Sequence, residues 1–180
     1  MVYFLMANGF EEAEALVPVD LLRRAGIKTM LASHKGEDVT GGHRVTVKAD
    51  LPLAHVDLTK TDMLVLPGGG LGFKNLGKDP AIAAMVQEAI DRNIWVAAIC
   101  ASPTLLGKWG HLKGKKAVCY PGMEEGLVGA TPQMYHGVVV DGRIITGRAA
   151  GSAFEFGLKL VEVLAGHEKA EEVRNSVYYG

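Results

Sequence analysis

Cysteine is scarce here: Cys100 and Cys119 are the only two in 180 residues. That is too few for a disulfide framework and fits a reducing compartment, so a cytoplasmic location is expected. Charge of one sign is also missing. Lys and Arg total 19 against 20 Asp and Glu, a formal net charge of −1, and no basic run breaks the balance, which argues against a nucleic-acid partner. No apolar stretch reaches the length of a membrane-crossing helix, so no membrane partner is expected. The apolar start, Met1 to Gly9, is short and has no basic flank, and it reads as a core strand rather than a signal peptide. The six histidines are scattered, without HExxH or CxxC spacing, and no metal site is expected. No phosphate loop ending in Gly-Lys-Ser/Thr occurs, which speaks against a kinase.

What is present is an ordinary globular composition, 48% hydrophobic and 22% charged, of a length suited to one domain over residues 1–180. Short apolar runs alternate with helical patterns. Strands are expected at Val2–Ala7, Lys28–Ser33, Asp62–Pro67 and Ile94–Ile99. Helices are expected at Glu11–Ala25, kinked by Pro18, and at Ala81–Arg92, Ser102–Trp109 and Ser152–Ala165, with a short one from Glu168. Val39–Val47 reads as a β excursion around Gly41-Gly42, and Val138–Ile145 as a hairpin turning at Asp141-Gly142. The alternation implies an α/β fold, a parallel sheet sandwiched by helices. In such sheets functional groups gather at the carboxyl ends of the strands.

Residues 94–104 carry the strongest functional signal. An uncharged run of strand length ends at Cys100, and Ser102-Pro103 then opens a helix, with Ser as N-cap and Pro at the first helical position. Cys100 therefore stands at a strand-to-helix turn of the nucleophile-elbow kind. Amide donors and the helix dipole there favour thiolate, so its pKa is expected below the ordinary value of about 8.5. A small cysteine that merely packs is the competing reading.

Pro67-Gly68-Gly69-Gly70-Leu71-Gly72 follows a strand. It reads either as a turn that brings amides close to a reacting centre, as an oxyanion hole requires, or as a tight turn that needs positive φ. Glu11, Glu12 and Glu14 open the first helix, where acidic residues suit the dipole. Glu11 and Glu14 share a face. If that face looks across the strand ends, a buried, protonated carboxyl can meet Cys100.

These segments, Asn8-Gly9-Phe10-Glu11-Glu12-Ala13-Glu14, Pro67-Gly68-Gly69, Ala97-Ala98-Ile99-Cys100-Ala101 and Gly151-Ser152-Ala153-Phe154-Glu155-Phe156, resemble the motifs of the ThiJ/PfpI superfamily. They are most similar to its Parkinsonism-associated branch, often called the DJ-one type. The stretch Val17–Lys28, proline included, resembles that branch too. The resemblance implies a flavodoxin-like sandwich and a homodimer built on the first helix and the Arg44 region. It implies an oxidation-sensitive Cys100, partnered by protonated Glu14, with backbone donors from Gly69 and Ala101. Arg44 would approach the partner subunit's site, where Glu11 pairs with it. The implied activity is cofactor-free action on small dicarbonyls, or on early glycation adducts, of glyoxalase III or deglycase type. A non-catalytic redox sensor or stress chaperone using the same cysteine is the alternative.

One departure stands out. Where many members place a His against the cysteine, this chain has Tyr120. Ala101 follows the nucleophile where PfpI-type members carry His. A protease-type Cys-His dyad is therefore not expected. His111 and His136 lie elsewhere, and Cys119 reads as a buried strand cysteine. A phenol is a poorer base than imidazole at neutral pH, so Tyr120 is expected to border the pocket as a hydrogen-bond donor and to slow turnover.

Overall fold

The computed structural model describes residues Met1–Gly180. Its elements run β1 (Val2–Met6), α1 (Glu12–Arg24), β2 (Thr29–Ser33), β3 (Asp38–Thr40), β4 (Thr46–Lys48), β5 (Leu51–Pro52), β6 (Met63–Leu66), α2 (Gly72–Lys78), α3 (Pro80–Asp91), β7 (Trp95–Ile99), α4 (Pro103–Lys108), β8 (Lys116–Ala117), β9 (Thr131–Pro132), β10 (Val138–Asp141), β11 (Ile144–Gly147), α5 (Ala153–Ala165) and α6 (His167–Ser176). Seven strands form the main sheet in the order β10-β11-β7-β6-β1-β2-β5. All neighbours are parallel except β10 and β11.

Strands β1, β6 and β7 are continuous apolar runs because both their faces are covered. Alternate side chains of β1 go to opposite sides. Val2, Phe4 and Met6 join Leu21 and Leu22 of α1 and Phe156 and Leu160 of α5. Tyr3 and Leu5 join Leu76 of α2, Ile82 and Val86 of α3, and Leu105 of α4. The result is an α/β sandwich of flavodoxin-like form.

Pro18 lies inside α1, which runs on through it. The helix packs closely on α5 at Gly157, where a Cβ would lie 2.7 Å from Leu21 Cδ1 and 2.9 Å from Pro18 Cα. The β10–β11 hairpin turns one residue later than its sequence suggests. Asp141 pairs with Ile144, leaving Gly142-Arg143 as the two-residue loop, with Gly142 at φ +61°. Asp141 is held in the strand because its carboxylate accepts the Lys116 N–H at 2.9 Å.

The ends of β1, β6 and β7 bring together Ala7–Glu11, Pro67–Gly72 and Cys100–Ser102. These loops are stitched to one another and to the β3–β4 hairpin. Glu11 N donates to Gly68 O at 3.2 Å, Gly72 N to Gly9 O at 2.9 Å, Gly9 N to Thr40 O at 2.8 Å, and Gly42 N to Phe10 O at 2.8 Å.

Candidate active site

Cys100 directly follows β7 and adopts φ +66°. Left-handed backbone in a residue with a Cβ costs about 1–2 kcal/mol, and such strain persists only where its surroundings enforce it. Here Cys100 N donates to Gly147 O at 2.9 Å, and Cys100 O accepts from Tyr120 N at 2.7 Å. The strained turn presents the thiol at the sheet edge, half-buried.

Ser102 departs from its expected part as an N-cap. Its side chain caps nothing, because its buried hydroxyl donates instead to Pro67 O at 2.6 Å. That bond ties the Cys100 elbow to the glycine loop. Helix α4 begins at Pro103 and has six residues, so it contributes little dipole.

Glu14 rises from α1 into this junction and is 1% exposed. Its Oε2 accepts the Gly68 N–H at 2.9 Å, and its carboxyl lies beside the Cys100 side chain, both crowding the position a Gly68 Cβ would take. Gly68 is required for the approach. A Cβ there would lie 2.6 Å from Cys100 Cβ and would collide with Glu14 Oε2 as well. Gly69, at φ +98°, also has no room for a side chain, since a Cβ would sit 2.6 Å from Glu11 N.

Burial pushes the Glu14 carboxyl up to about 7, against the hydrogen bonds from Cys100 and Gly68, with the nearby Glu11 charge adding to the rise. Burial, followed by the Glu14 charge, pushes the Cys100 thiol up to about 12, while the Ala101 and Gly69 amides pull it down. The depressed thiol pKa expected from the elbow alone is thus overturned: desolvation and a neighbouring acid outweigh the two amides. The two groups form a coupled pair with room for one negative charge. The amides of Ala101 and Gly69 favour that charge on sulfur, and the amide of Gly68 favours it on Glu14. The two forms differ by the position of one proton.

The remaining candidates fall around this pair. Tyr120 adjoins the elbow through its main chain, and the residue is 49% exposed. Arg44 is exposed at φ +67° and forms no pairing with Glu11 inside one chain. His43, its neighbour, occupies that place, with Nδ1 3.7 Å from Glu11 Oε1. Cys119 is fully buried, with its thiol donating to Tyr120 O at 3.4 Å, and burial pushes it up to about 12. Sequence reasoning missed Gly68, Ser102 and His43. The first two sat inside motifs already noticed, whereas His43 had no local signal.

A model of the DJ-1/PfpI family matches residues 1–163. Protein dj-1beta of Drosophila melanogaster is 40% identical over 171 residues, covering 94% of this chain and 91% of that protein. Deglycase PH1704 of Pyrococcus horikoshii is 31% identical over 164 residues, covering 91% and 98%. Glutathione-independent glyoxalase DJR-1.2 of Caenorhabditis elegans is 31% identical over 163 residues, covering 91% and 87%. A solved structure of oxidised Toxoplasma gondii DJ-1 superposes with a TM-score of 0.93 at 35% identity, covering 99% of this chain and 98% of that one. With a family model matching residues 1–163 and relatives similar along nearly the whole domain, the chain belongs to the DJ-1/PfpI family of the ThiJ/PfpI superfamily.

Proposed function

We propose that this protein is a cysteine enzyme that converts small 1,2-dicarbonyls to hydroxy acids, and that the same site acts on early glycation adducts. The observation that carries the reading is the Glu14 carboxyl, buried beside the Cys100 thiol at the Gly68 turn and accepting the Gly68 N–H at 2.9 Å, where burial raises it to about 7. A group that titrates near working pH both takes and returns a proton efficiently. The deglycase and glyoxalase names of two relatives lend support.

The chemistry balances with water as the only co-reactant. Cys100 Sγ bonds to the aldehyde carbon while its proton passes to the Glu14 carboxylate and from there to the former carbonyl oxygen, giving a hemithioacetal and restoring the carboxylate. Amides of Gly69 and Ala101 stand beside the sulfur, where they stabilise the developing oxyanion. Glu14 then removes the hydrogen from that carbon and delivers it to the adjacent one, while the hydroxyl proton passes to the former ketone oxygen. The aldehyde carbon is oxidised to a thioester and the ketone carbon reduced to an alcohol. Water attacks the thioester, the C–S bond breaks, and Cys100 regains its proton.

A second reading is a redox sensor in which Cys100 oxidises to sulfenic and then sulfinic acid. It is favoured by the buried Glu14 and the two amides, which suit an oxidised sulfur as well as a thiolate, and by the oxidised state of the Toxoplasma gondii relative. Methylglyoxal turnover by wild type, Cys100→Ser and Glu14→Gln separates the readings, run beside intact mass after mild peroxide. The enzyme reading requires turnover that both substitutions abolish. Peroxide adducts on Cys100 without turnover would leave only the sensor.

A further inference from the structure

Two hydrogen bonds of the site share one peptide group. The Ser102 hydroxyl donates to Pro67 O at 2.6 Å, and Gly68 N donates to Glu14 Oε2 at 2.9 Å. Pro67 C=O and Gly68 N–H lie in a single planar unit, so neither turns without the other. A continuous chain of donors and acceptors therefore runs from Ser102, through that peptide, to the Glu14 carboxyl.

The peptide has little else to hold it. The ladder between β6 and β7 ends at Leu66 and Ala98. Past it, Gly68 N turns to Glu14, and Ile99 O accepts Ser102 N at 3.2 Å. No main-chain hydrogen bond joins residues 67–72 to residues 99–104, and Pro67 O accepts from no donor but Ser102. Ser102 is fully buried, and Pro67 and Gly68 are buried with it.

We propose that Ser102 is a positioning residue for Glu14: its hydroxyl fixes the Pro67–Gly68 peptide, which aims the N–H that holds the carboxyl beside Cys100. The inference deepens the proposed function, since Glu14 is the proton carrier there. Ser102 itself touches no reacting atom. It acts by setting the plane of the peptide, and by polarising it, since a carbonyl that accepts a hydrogen bond makes its N–H a stronger donor. The titratable groups facing Glu14 are Cys100 from the elbow and Glu11 from α1, and the Gly68 N–H opposes burial by favouring the carboxylate. A looser Gly68 bond leaves that carboxylate less favoured, so Glu14 without the Ser102 hydroxyl should keep its proton to higher pH.

Carboxyl ¹³C NMR titration of wild type, Ser102→Ala and Thr104→Ala tests this, with Glu14→Gln assigning the signal. Ser102→Ala should move the Glu14 midpoint upward from its wild-type position. Thr104→Ala removes another hydroxyl bond of the same elbow, to Ala101 O at 2.6 Å, but leaves the Pro67–Gly68 peptide alone, so Glu14 should titrate there as in wild type. In wild type itself the Pro67 carbonyl ¹³C and Gly68 amide ¹⁵N signals should follow the Glu14 midpoint, which decides the matter should alanine at 102 prevent folding. Dicarbonyl turnover by Ser102→Ala at neutral pH should fall about tenfold or more in kcat, with KM unchanged. A Glu14 midpoint in Ser102→Ala equal to or below that of wild type, an equal shift in Thr104→Ala, or Pro67 and Gly68 signals that ignore the Glu14 midpoint would each overturn the proposal. Absence of turnover in wild type would fall on the enzyme reading alone, and the titrations would still decide the role of Ser102.

Discussion

Replacing Glu14 by Gln should change how stability depends on pH, and the structure sets the size of the change. The carboxyl is buried against Cys100 and Gly68 and is pushed from an ordinary 4.5 up to about 7. Its folded value lies above its unfolded value, so between those pH values the folded chain binds more protons than the unfolded one. Stability therefore falls as pH rises through this window. The contribution is flat below about 4.5 and flat again above about 7. At 1.36 kcal/mol per pKa unit the difference amounts to about 3 kcal/mol, or roughly 6–12 °C in Tm for a chain of this size. Glutamine keeps a similar shape and cannot ionise, so this fall disappears. Titrating groups away from Cys100 affect both proteins alike and cancel in the comparison, and Cys100, at about 12 beside Glu14, stays a neutral thiol in the wild type across the range. Urea unfolding of wild type and Glu14→Gln at intervals from pH 4.5 to 8 measures it. The variant should gain on wild type by about 3 kcal/mol across the range, whatever constant offset the lost hydrogen bonding adds. Parallel curves would mean that Glu14 ionises in the folded protein as it does in water, and the burial argument would fail.

Other changes test neighbouring parts of the reasoning. Gly68→Ala adds one methyl 2.6 Å from Cys100 Cβ; overpacking of this kind costs about 1–3 kcal/mol, so thermal unfolding should move down and dicarbonyl turnover should collapse, and an active, equally stable variant would remove the steric role given to glycine. Iodoacetamide should label Cys100 well ahead of Cys119, which is fully buried; mass mapping that finds Cys119 labelled first would contradict the site. Tyr120→His should raise dicarbonyl turnover or bring its optimum toward neutrality, since imidazole is the better base there, and an identical rate and profile would detach residue 120 from the pocket. Sedimentation at micromolar concentration should show a homodimer, and a species of only 19.2 kDa would refute it.

Much of this architecture was legible because the physics behind it is local. Buried parallel strands must be apolar on both faces, so Val2–Met6, Met63–Leu66 and Trp95–Ile99 announce themselves. The elbow was legible for the same reason, since small residues and Ser-Pro after such a run leave the chain little alternative to a sharp turn. The bound of the β10–β11 turn was missed by one residue because Asp141 answers to Lys116, a partner 25 residues away. Ser102 was misjudged as a cap in the same way, because its hydroxyl is claimed by Pro67 on a neighbouring strand end.

The direction of the Cys100 pKa shows where local reasoning stops. Amides at a turn can be inferred from sequence, and both Ala101 and Gly69 do act on the sulfur. The depth of burial and the acid arriving from α1 are tertiary facts, and together they are larger. Once they are included, the useful quantity is no longer the acidity of one thiol but the single charge that Cys100 and Glu14 hold between them. A lone low-pKa cysteine would be a standing nucleophile, exposed to any electrophile. Under the proposed function, a pair with one mobile proton would make sulfur nucleophilic where Glu14 accepts the proton and would keep that proton available for the next step. The left-handed backbone at φ +66°, pinned by the Gly147 carbonyl and the Tyr120 amide, holds the thiol beside that carboxyl.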